Sequence, residues 1–349
     1  MAKVNKALYL RPDNQVELAV LSEQYNPVRG QALIEVEYSG INPADVKHGQ
    51  HFGLNDNVCG YECCGTVIEA GPSSPFAVGD VVFGSNATGK DRPRSNAAHQ
   101  RFMIAEPNHM WLKLPAGVPH ADAAVLSIVV RTAADALFNA FGLSLPAAGI
   151  EGPPSSGAIV IWGGASSVGI SAIQLSKAIG LAPILVTASE KNHKALLEIG
   201  ATQCFDYRNQ TVVANIQSAL DSASQPLAYV LDTVCSKGED STTSKCEALK
   251  STSEVKYASV LPIFGNPKWN VVVAGRTFDF PSPGGFAKAQ PERDAPLRKA
   301  SQWAAEQYGK GFVVPRVRVV KDVNLAIQAI RDSADGKISF EKVAIKHPL

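Results

Sequence analysis

A doubly wound parallel α/β sheet joined to a second, mostly antiparallel, barrel-like β unit is the fold class this sequence predicts. Three observations predict it. The first hundred residues hold short β-like runs cut by Gly- and Pro-rich turns. Residues 158–231 alternate near-continuous apolar runs with helical segments. A glycine-rich turn stands at the first junction of that alternation. The length of 349 residues suits about two domains at roughly 100–200 residues each.

The early β-like runs are 4–10, 16–20, 31–38, 65–70, 80–84 and 101–105. They are separated by Arg11-Pro-Asp-Asn, Ala70-Gly-Pro-Ser-Ser-Pro and Val78-Gly-Asp. Short strands with this punctuation predict a barrel-like antiparallel unit. Residues 121–141 predict one long apolar helix, and the Pro- and Gly-rich 145–157 a surface loop. Strands are expected at 158–162, 183–187, 204–205 and 227–231, and helices at 168–179, 191–199 and 212–220. This alternation builds a parallel sheet. Further strands are expected at 255–261 and 271–274. The tail reads as a helix over 295–308, a strand over 315–319, a helix over 323–334 and a strand over 342–345. Residues 1–125 with 295–349 are expected to form one domain, and 126–294 the dinucleotide-binding domain.

Composition excludes several functions. Hydrophobic residues are 45% and charged residues 19%, so the chain can bury a core. Lys+Arg total 33 against 32 for Asp+Glu, a net charge of +1. No basic excess or stripe points to nucleic acid or to a membrane surface. Six cysteines are too sparse for a disulfide scaffold. They read as reduced, packed thiols and place the chain in the cytoplasm. Arg11 and Asp13 interrupt any leader-like apolar run at the N-terminus. The apolar stretch 121–145 carries Asp122, Arg131 and Asp135 and reads as a buried helix, not a membrane span.

The main chemical signal is Ile159-Val-Ile-Trp-Gly-Gly-Ala-Ser-Ser-Val-Gly169. An apolar strand runs into a turn of small residues that opens a helix. Gly163, Gly164 and Gly169 permit a tight turn and close helix packing. Ser166, Ser167 and Val168 start a helix whose free N–H groups suit a pyrophosphate. Gly164-x-Ser166-x-x-Gly169 departs from G-x-G-x-x-G at its middle glycine. Ser189 stands twenty residues beyond Gly169, where an NAD site wants an acid. Ser189 and Lys191, with Tyr207 after the next strand, suit a 2′-phosphate and therefore NADPH. Glu190 is the competing NAD-type acid, and a helix cap is the competing role for Ser189.

Across nearly its whole length the chain resembles the zinc-independent medium-chain dehydrogenase/reductases, and within them the fungal trans-acting enoyl reductases of polyketide synthase clusters. The resemblance rests on Gly40-Ile-Asn-Pro-Ala-Asp-Val-Lys47, Gly60-Tyr-Glu-Cys-Cys-Gly-Thr-Val67 and Val78-Gly-Asp-Val81. It continues through Arg131-Thr-Ala-Ala-Asp-Ala-Leu-Phe, the glycine turn, Phe205-Asp-Tyr207, Ala228-Tyr-Val-Leu-Asp232 and Gly336-Lys-Ile-Ser-Phe-Glu-Lys342. It implies a Rossmann-type domain beside a GroES-like catalytic domain. It also implies NADPH-dependent reduction of an α,β-unsaturated polyketide thioester during secondary-metabolite biosynthesis. The partners implied are a carrier-bound intermediate and a synthase acting in trans, with the chain a monomer or a dimer.

Zinc-dependent relatives place a Cys in the first motif and a His in a Gly-His-Glu segment. Here Asn42-Pro43 and Tyr61 stand near those places, so no metal is expected. Without one, oxyanion and proton duties fall to side chains. Lys47, Thr132 and Tyr61 are the catalytic candidates, each with a plain alternative as a surface lysine, a helix-bonded threonine or a packed tyrosine. Thr233, Leu261 and Thr277 take family positions near the cofactor. Asn42, Phe278 and Phe286 take positions near the substrate, the last in Pro281-Ser-Pro-Gly-Gly-Phe286, which reads as a mobile loop. The competing functions are a quinone or free-enone reductase of the same fold, and a nucleotide-binding accessory protein without redox turnover.

Overall fold

The strand Ala158–Trp162 is buried at every position and is an inner strand of a parallel sheet. Nothing but apolar side chains fits a strand covered on both faces. Ile184–Thr187 pairs on one side of it and Leu227–Asp232 on the other. The full order is Gln203–Phe205, Ile184–Thr187, Ala158–Trp162, Leu227–Asp232, Lys256–Ser259, Trp269–Val271. The order reverses around Ala158–Trp162, and ligands of such sheets bind at the carboxyl ends beside a reversal. Val160, Trp162, Leu185, Ile216 and Val230 belong to the core that holds this sheet together.

The computed structural model describes the chain apart from residues 1–3, 90, 108–109, 239 and 283–284, and apart from the side chains of 280–286. It divides into two compact units. One comprises Met1–Ile128, Gly275–Asp294 and Val314–Leu349; the other comprises Val129–Ala274 and Ala295–Val313. The second contains the parallel sheet.

The first unit is built on a seven-stranded sheet in which Ala32–Gly40 pairs with three neighbours. Ala32–Glu35 pairs with Phe102–Ala105, Tyr38–Gly40 pairs with Lys346–Ala344, and Glu62–Ala70 runs along its whole length. One strand serving three partners at its two ends is how a sheet curls into a barrel. Ile34, Val36, Cys63, Val67, Val82, Met103 and Trp111 fill one side of it.

Several expectations need correction. The single helix over 121–141 is broken into His120–Ala123, Ser127–Ala134 and a π-helical turn Asp135–Ala140. The Ile128 N–H is taken by Glu62 Oε2 at 2.9 Å, so the second piece begins on a carboxylate from a neighbouring strand. The Asp135 carboxylate reaches Val273 N at 2.9 Å and Asn139 Nδ2 at 2.7 Å at the start of the wider turn. The stretch 145–157 is not wholly a surface loop, because Leu145 and Ile150 are buried and bridge each other. Helices Ala44–Phe52 and Thr242–Glu247 were not anticipated, and the strand expected at 271–274 is Trp269–Val271. The tail divides differently as well. Ala295–Val313 belongs with the parallel sheet, where Gln174 Oε1 accepts Val313 N at 2.8 Å, and only Val314 onward belongs with the barrel.

Candidate functional site

The glycine turn leaves the carboxyl end of Ala158–Trp162 with no spare space. A Cβ on Gly164 would lie 1.9 Å from Val186 Cγ1, and one on Gly169 2.5 Å from the Gly163 carbonyl oxygen. Gly163 has φ +90 and sits against Thr233 and Val234. The helix Ser167–Ala178 therefore starts directly against the strand. Ser166 caps it by accepting Gly169 N at 2.9 Å. Its hydroxyl also donates to Thr233 Oγ1 at 2.9 Å, and Thr233 lies 2.8 Å from the Gly163 carbonyl. Ser166 and Thr233 thus hold the turn in shape. Ser167 and Val168, in the first helical turn, present backbone N–H groups that no preceding helical carbonyl can take.

Beyond the second strand of the sheet lies a cavity of about 550 Å³ lined by Ser189, Glu190, Lys191 and Arg208. Ser189 makes no side-chain cap on the short helix Glu190–Asn192, and among the described residues Lys191 has no ion-pair partner. Tyr207 is 46% exposed and does not line this cavity; its neighbour Arg208 does. Sequence reasoning missed Arg208 because it took the aromatic donor and passed over the guanidinium beside it. Leu261 is 43% exposed and its carbonyl accepts Ser259 Oγ at 2.8 Å.

Within the barrel unit, the Asn-Pro-Ala-Asp motif folds as the entry to helix Ala44–Phe52. Asp45 Oδ2 accepts Asn42 N at 2.8 Å. The Asn42 side chain bonds at both ends: Nδ2 donates to Glu62 Oε1 at 2.8 Å, and Oδ1 accepts Lys342 Nζ at 2.8 Å. Lys342 Nζ also lies 3.4 Å from Glu62 Oε1, with side chains 7% and 0% exposed. Both amide atoms of Asn42 are thereby held within the fold. Glu62 and Lys342 both stood in the quoted motifs, and only their meeting across the fold shows what they do.

The buried Tyr61 and the half-buried His48 form a second pair. The Tyr61 hydroxyl lies 2.9 Å from His48 Nδ1, and the Arg92 guanidinium stacks 4.6 Å over the phenol ring. Burial first, then Arg92, lowers His48 to about 4, so its imidazole is neutral at pH 7. Burial raises the Tyr61 phenol well above its ordinary value, so it keeps its proton. Lys47, on the same helix as His48, is half-buried. Asp335, held below the ordinary carboxyl range first by Lys337, feels Lys47 as a minor influence. Thr132 is 8% exposed in Ser127–Ala134, beside Arg131, whose Nε donates to the Ala274 carbonyl at 2.6 Å.

In the 275–294 segment, the buried Thr277 hydroxyl finds no hydrogen-bond partner among the described residues. The Phe278 ring packs on Gly275, 2.6 Å from where a Cβ would stand. Phe286 falls on the strand Gly285–Ala287, which pairs with Phe280–Ser282, and its side chain lies outside the described residues. Among the described residues no group of three or more His, Cys, Asp and Glu is arranged to hold a metal ion, and no helix is long and apolar enough to cross a membrane.

Residues 28–115 match the family described as the alcohol dehydrogenase GroES-like domain. The chain is 37% identical to the trans-enoyl reductase himH of Aspergillus japonicus over 224 residues, 63% of this chain and 62% of that protein. It is 27% identical to the trans-enoyl reductase mpsG of Macrophomina phaseolina over 336 residues, 89% of each. Its fold is that of an alcohol dehydrogenase superfamily protein from Novosphingobium aromaticivorans, with a TM-score of 0.76 at 20% identity over 99% of this chain and 100% of the other.

Proposed function

We propose that this chain, which resembles the medium-chain dehydrogenase/reductases and among them the trans-acting enoyl reductases, is an NADPH-dependent oxidoreductase. In this reading it reduces the carbon–carbon double bond of an α,β-unsaturated polyketide thioester. The observation that carries the reading is the pairing of a packed glycine turn with a cavity that holds Ser189 and Lys191. That donor set fits the cofactor: helix-start N–H groups for a pyrophosphate, and the Ser189 hydroxyl with the Lys191 ammonium for a 2′-phosphate.

When bound, NADPH supplies a hydride to the β-carbon of the enoyl thioester. The remaining tasks belong to the chain. Ser167 and Val168 hold the pyrophosphate, while Ser166 and Thr233 keep the turn in shape. Ser189 and Lys191 hold the 2′-phosphate. The Thr277 hydroxyl, without a hydrogen-bond partner among the described residues, is a donor for the cofactor, and Leu261 contributes an apolar face. Phe278 and Phe286 contact the substrate. Lys47 and Thr132 stabilise the oxyanion that develops on the thioester carbonyl. Tyr61 delivers the α-carbon proton, because its phenol stays protonated and bonds to a neutral imidazole at 2.9 Å. That imidazole can take part in restoring the proton. The relatives carry the name trans-enoyl reductase; in this reading the chain acts in trans, in the cytoplasm, on an intermediate held by the carrier domain of a polyketide synthase.

The test is consumption of NADPH by the purified chain in the presence of a crotonyl-type thioester. The expected outcome is thioester-dependent oxidation that continues in EDTA and is weak with a simple quinone. No oxidation with the thioester, or faster turnover of the quinone, would reject the reading.

A further inference from the structure

The cavity beyond the second strand contains a cation that the cofactor reading did not assign. Arg208 lines it together with Ser189, Glu190 and Lys191. Its guanidinium is turned toward Asp206: Nε lies 2.9 Å from Oδ1 and 3.2 Å from Oδ2, and Nη2 lies 2.6 Å from Oδ2. Asp206 also organises the turn itself, accepting Arg208 N on Oδ1 at 3.0 Å, while its carbonyl accepts Asn209 N at 3.0 Å. The backbone of Arg208 is therefore fixed beside the cavity, and its side chain is divided between the two. Among the described residues Nη1 makes no hydrogen bond.

We propose that Arg208 is a ligand for the ribose 2′-phosphate of the cofactor, and that Asp206 competes with that phosphate for the guanidinium. The proposal rests on the NADPH reading above and deepens it by naming what sets the preference for the phosphate. The Arg208–Asp206 pair is exposed, with side chains 61% and 25% accessible. A pair in water is weak and exchanges readily. A dianionic phosphate offers the planar guanidinium more acceptors in the same fork geometry, and Lys191 beside it adds a second charge. Glu190 lines the same cavity and its charge also acts on Arg208. The phosphate thus enters a site with two cations and two carboxylates, and its affinity depends on whether Arg208 leaves Asp206. The side-chain hydrogen bond from Arg208 holds the Asp206 carboxyl at about 2, so the competitor stays charged at every working pH.

The experiment is calorimetric titration of the full chain with 2′,5′-ADP and with 5′-AMP, which differ only in the 2′-phosphate. The parent is expected to prefer 2′,5′-ADP by about tenfold or more. Arg208→Gln should cut that preference about fivefold, and Asp206→Asn should raise it severalfold while still accepting the turn hydrogen bond. In the Arg208→Gln background, Asp206→Asn should change the preference less than about twofold, because the competitor then has nothing to withhold. A tenfold parental preference that survives Arg208→Gln would overturn this proposal and leave the NADPH reading standing. An equal effect of Asp206→Asn in both backgrounds would show a general field rather than competition, and would also overturn it. Equal parental affinity for the two nucleotides would remove the NADPH reading and this proposal together. Melting temperatures close to the parent's show that each variant is folded, as exposed positions allow.

Discussion

Ser166 shows how a single side chain can be claimed by two tasks. Its place in the glycine turn suggests a cofactor contact, yet its hydroxyl caps the helix and bonds Thr233. Ser166→Ala should therefore cost about 1 kcal/mol of stability in the parallel-sheet unit, as lost caps do. Its effect on 5′-AMP affinity should be smaller in energy. Thermal unfolding with and without nucleotide separates the two, and a large affinity loss at unchanged stability would contradict the capping role. Gly169→Ala is the sharper change. The new methyl would meet the Gly163 carbonyl oxygen at 2.5 Å, and no side-chain rotation relieves a clash with backbone. The expected cost is about 1–3 kcal/mol, with loss of nucleotide binding in the same titration.

At the scale of elements, Glu62 ties three segments of the barrel unit together. Its strand carries it to Asn42 before the Ala44–Phe52 helix, to Lys342 on the last strand, and to the Ile128 N–H where a helix begins. A buried pair of this kind is a poor source of net stability but expensive to break on one side. Lys342→Met should destabilise the unit by about 3–5 kcal/mol, because it strands the Glu62 carboxylate. Adding Glu62→Gln should recover part of that loss: it removes the charge, and its one oxygen accepts from either Asn42 Nδ2 or Ile128 N while its NH2 faces the other donor. Urea unfolding of the two variants measures both effects, and equal stability of the single and double variants would show that the charge is not what matters.

For the chain as a whole, buried neutral histidines set the response to acid. Asp45, His99, Ser39 and His347 form a buried hydrogen-bonded row, with His99 Nε2 3.2 Å from Asp45 and Ser39 Oγ 2.8 Å from His347 Nε2. Burial lowers His347 to about 3, so the folded chain refuses a proton that the unfolded chain accepts near 6.5. The unfolded state then binds more protons across the window from about 6.5 down to about 3. Stability is full above 6.5 and falls as pH drops through that window, by up to about 1.4 kcal/mol per unit. The half-buried His48 adds a slope of the same kind over a narrower window, ending at about 4, and so a smaller total. Melting temperatures between pH 7 and pH 4.5 should fall, and His347→Gln should flatten the fall. An unchanged slope in that variant would assign the acid response to other groups.

Period and punctuation by themselves determined the parallel sheet, the glycine turn, the barrel-like β unit and the placement of Ser189 and Lys191 after the second strand. These follow from local physics: strands covered on both faces must be apolar throughout, and a helix that starts tight against a strand needs glycine. Helix Ala44–Phe52 was also written locally, in Pro43 before its first turn, Asp45 within it and Gly53 at its end with φ +67. Reading Asn42-Pro43 for zinc ligands and substrate contacts passes over these helix signals. Tertiary structure alone decided the rest. The 121–141 helix breaks because a carboxylate on a distant strand takes the Ile128 amide. Residues 295–313 leave the barrel because Gln174 binds Val313. Asn42 is committed because Glu62 and Lys342 arrive from 20 and 300 residues away. Each of these is a hydrogen bond or charge met across the fold, and no periodicity along the chain encodes which partner will stand opposite.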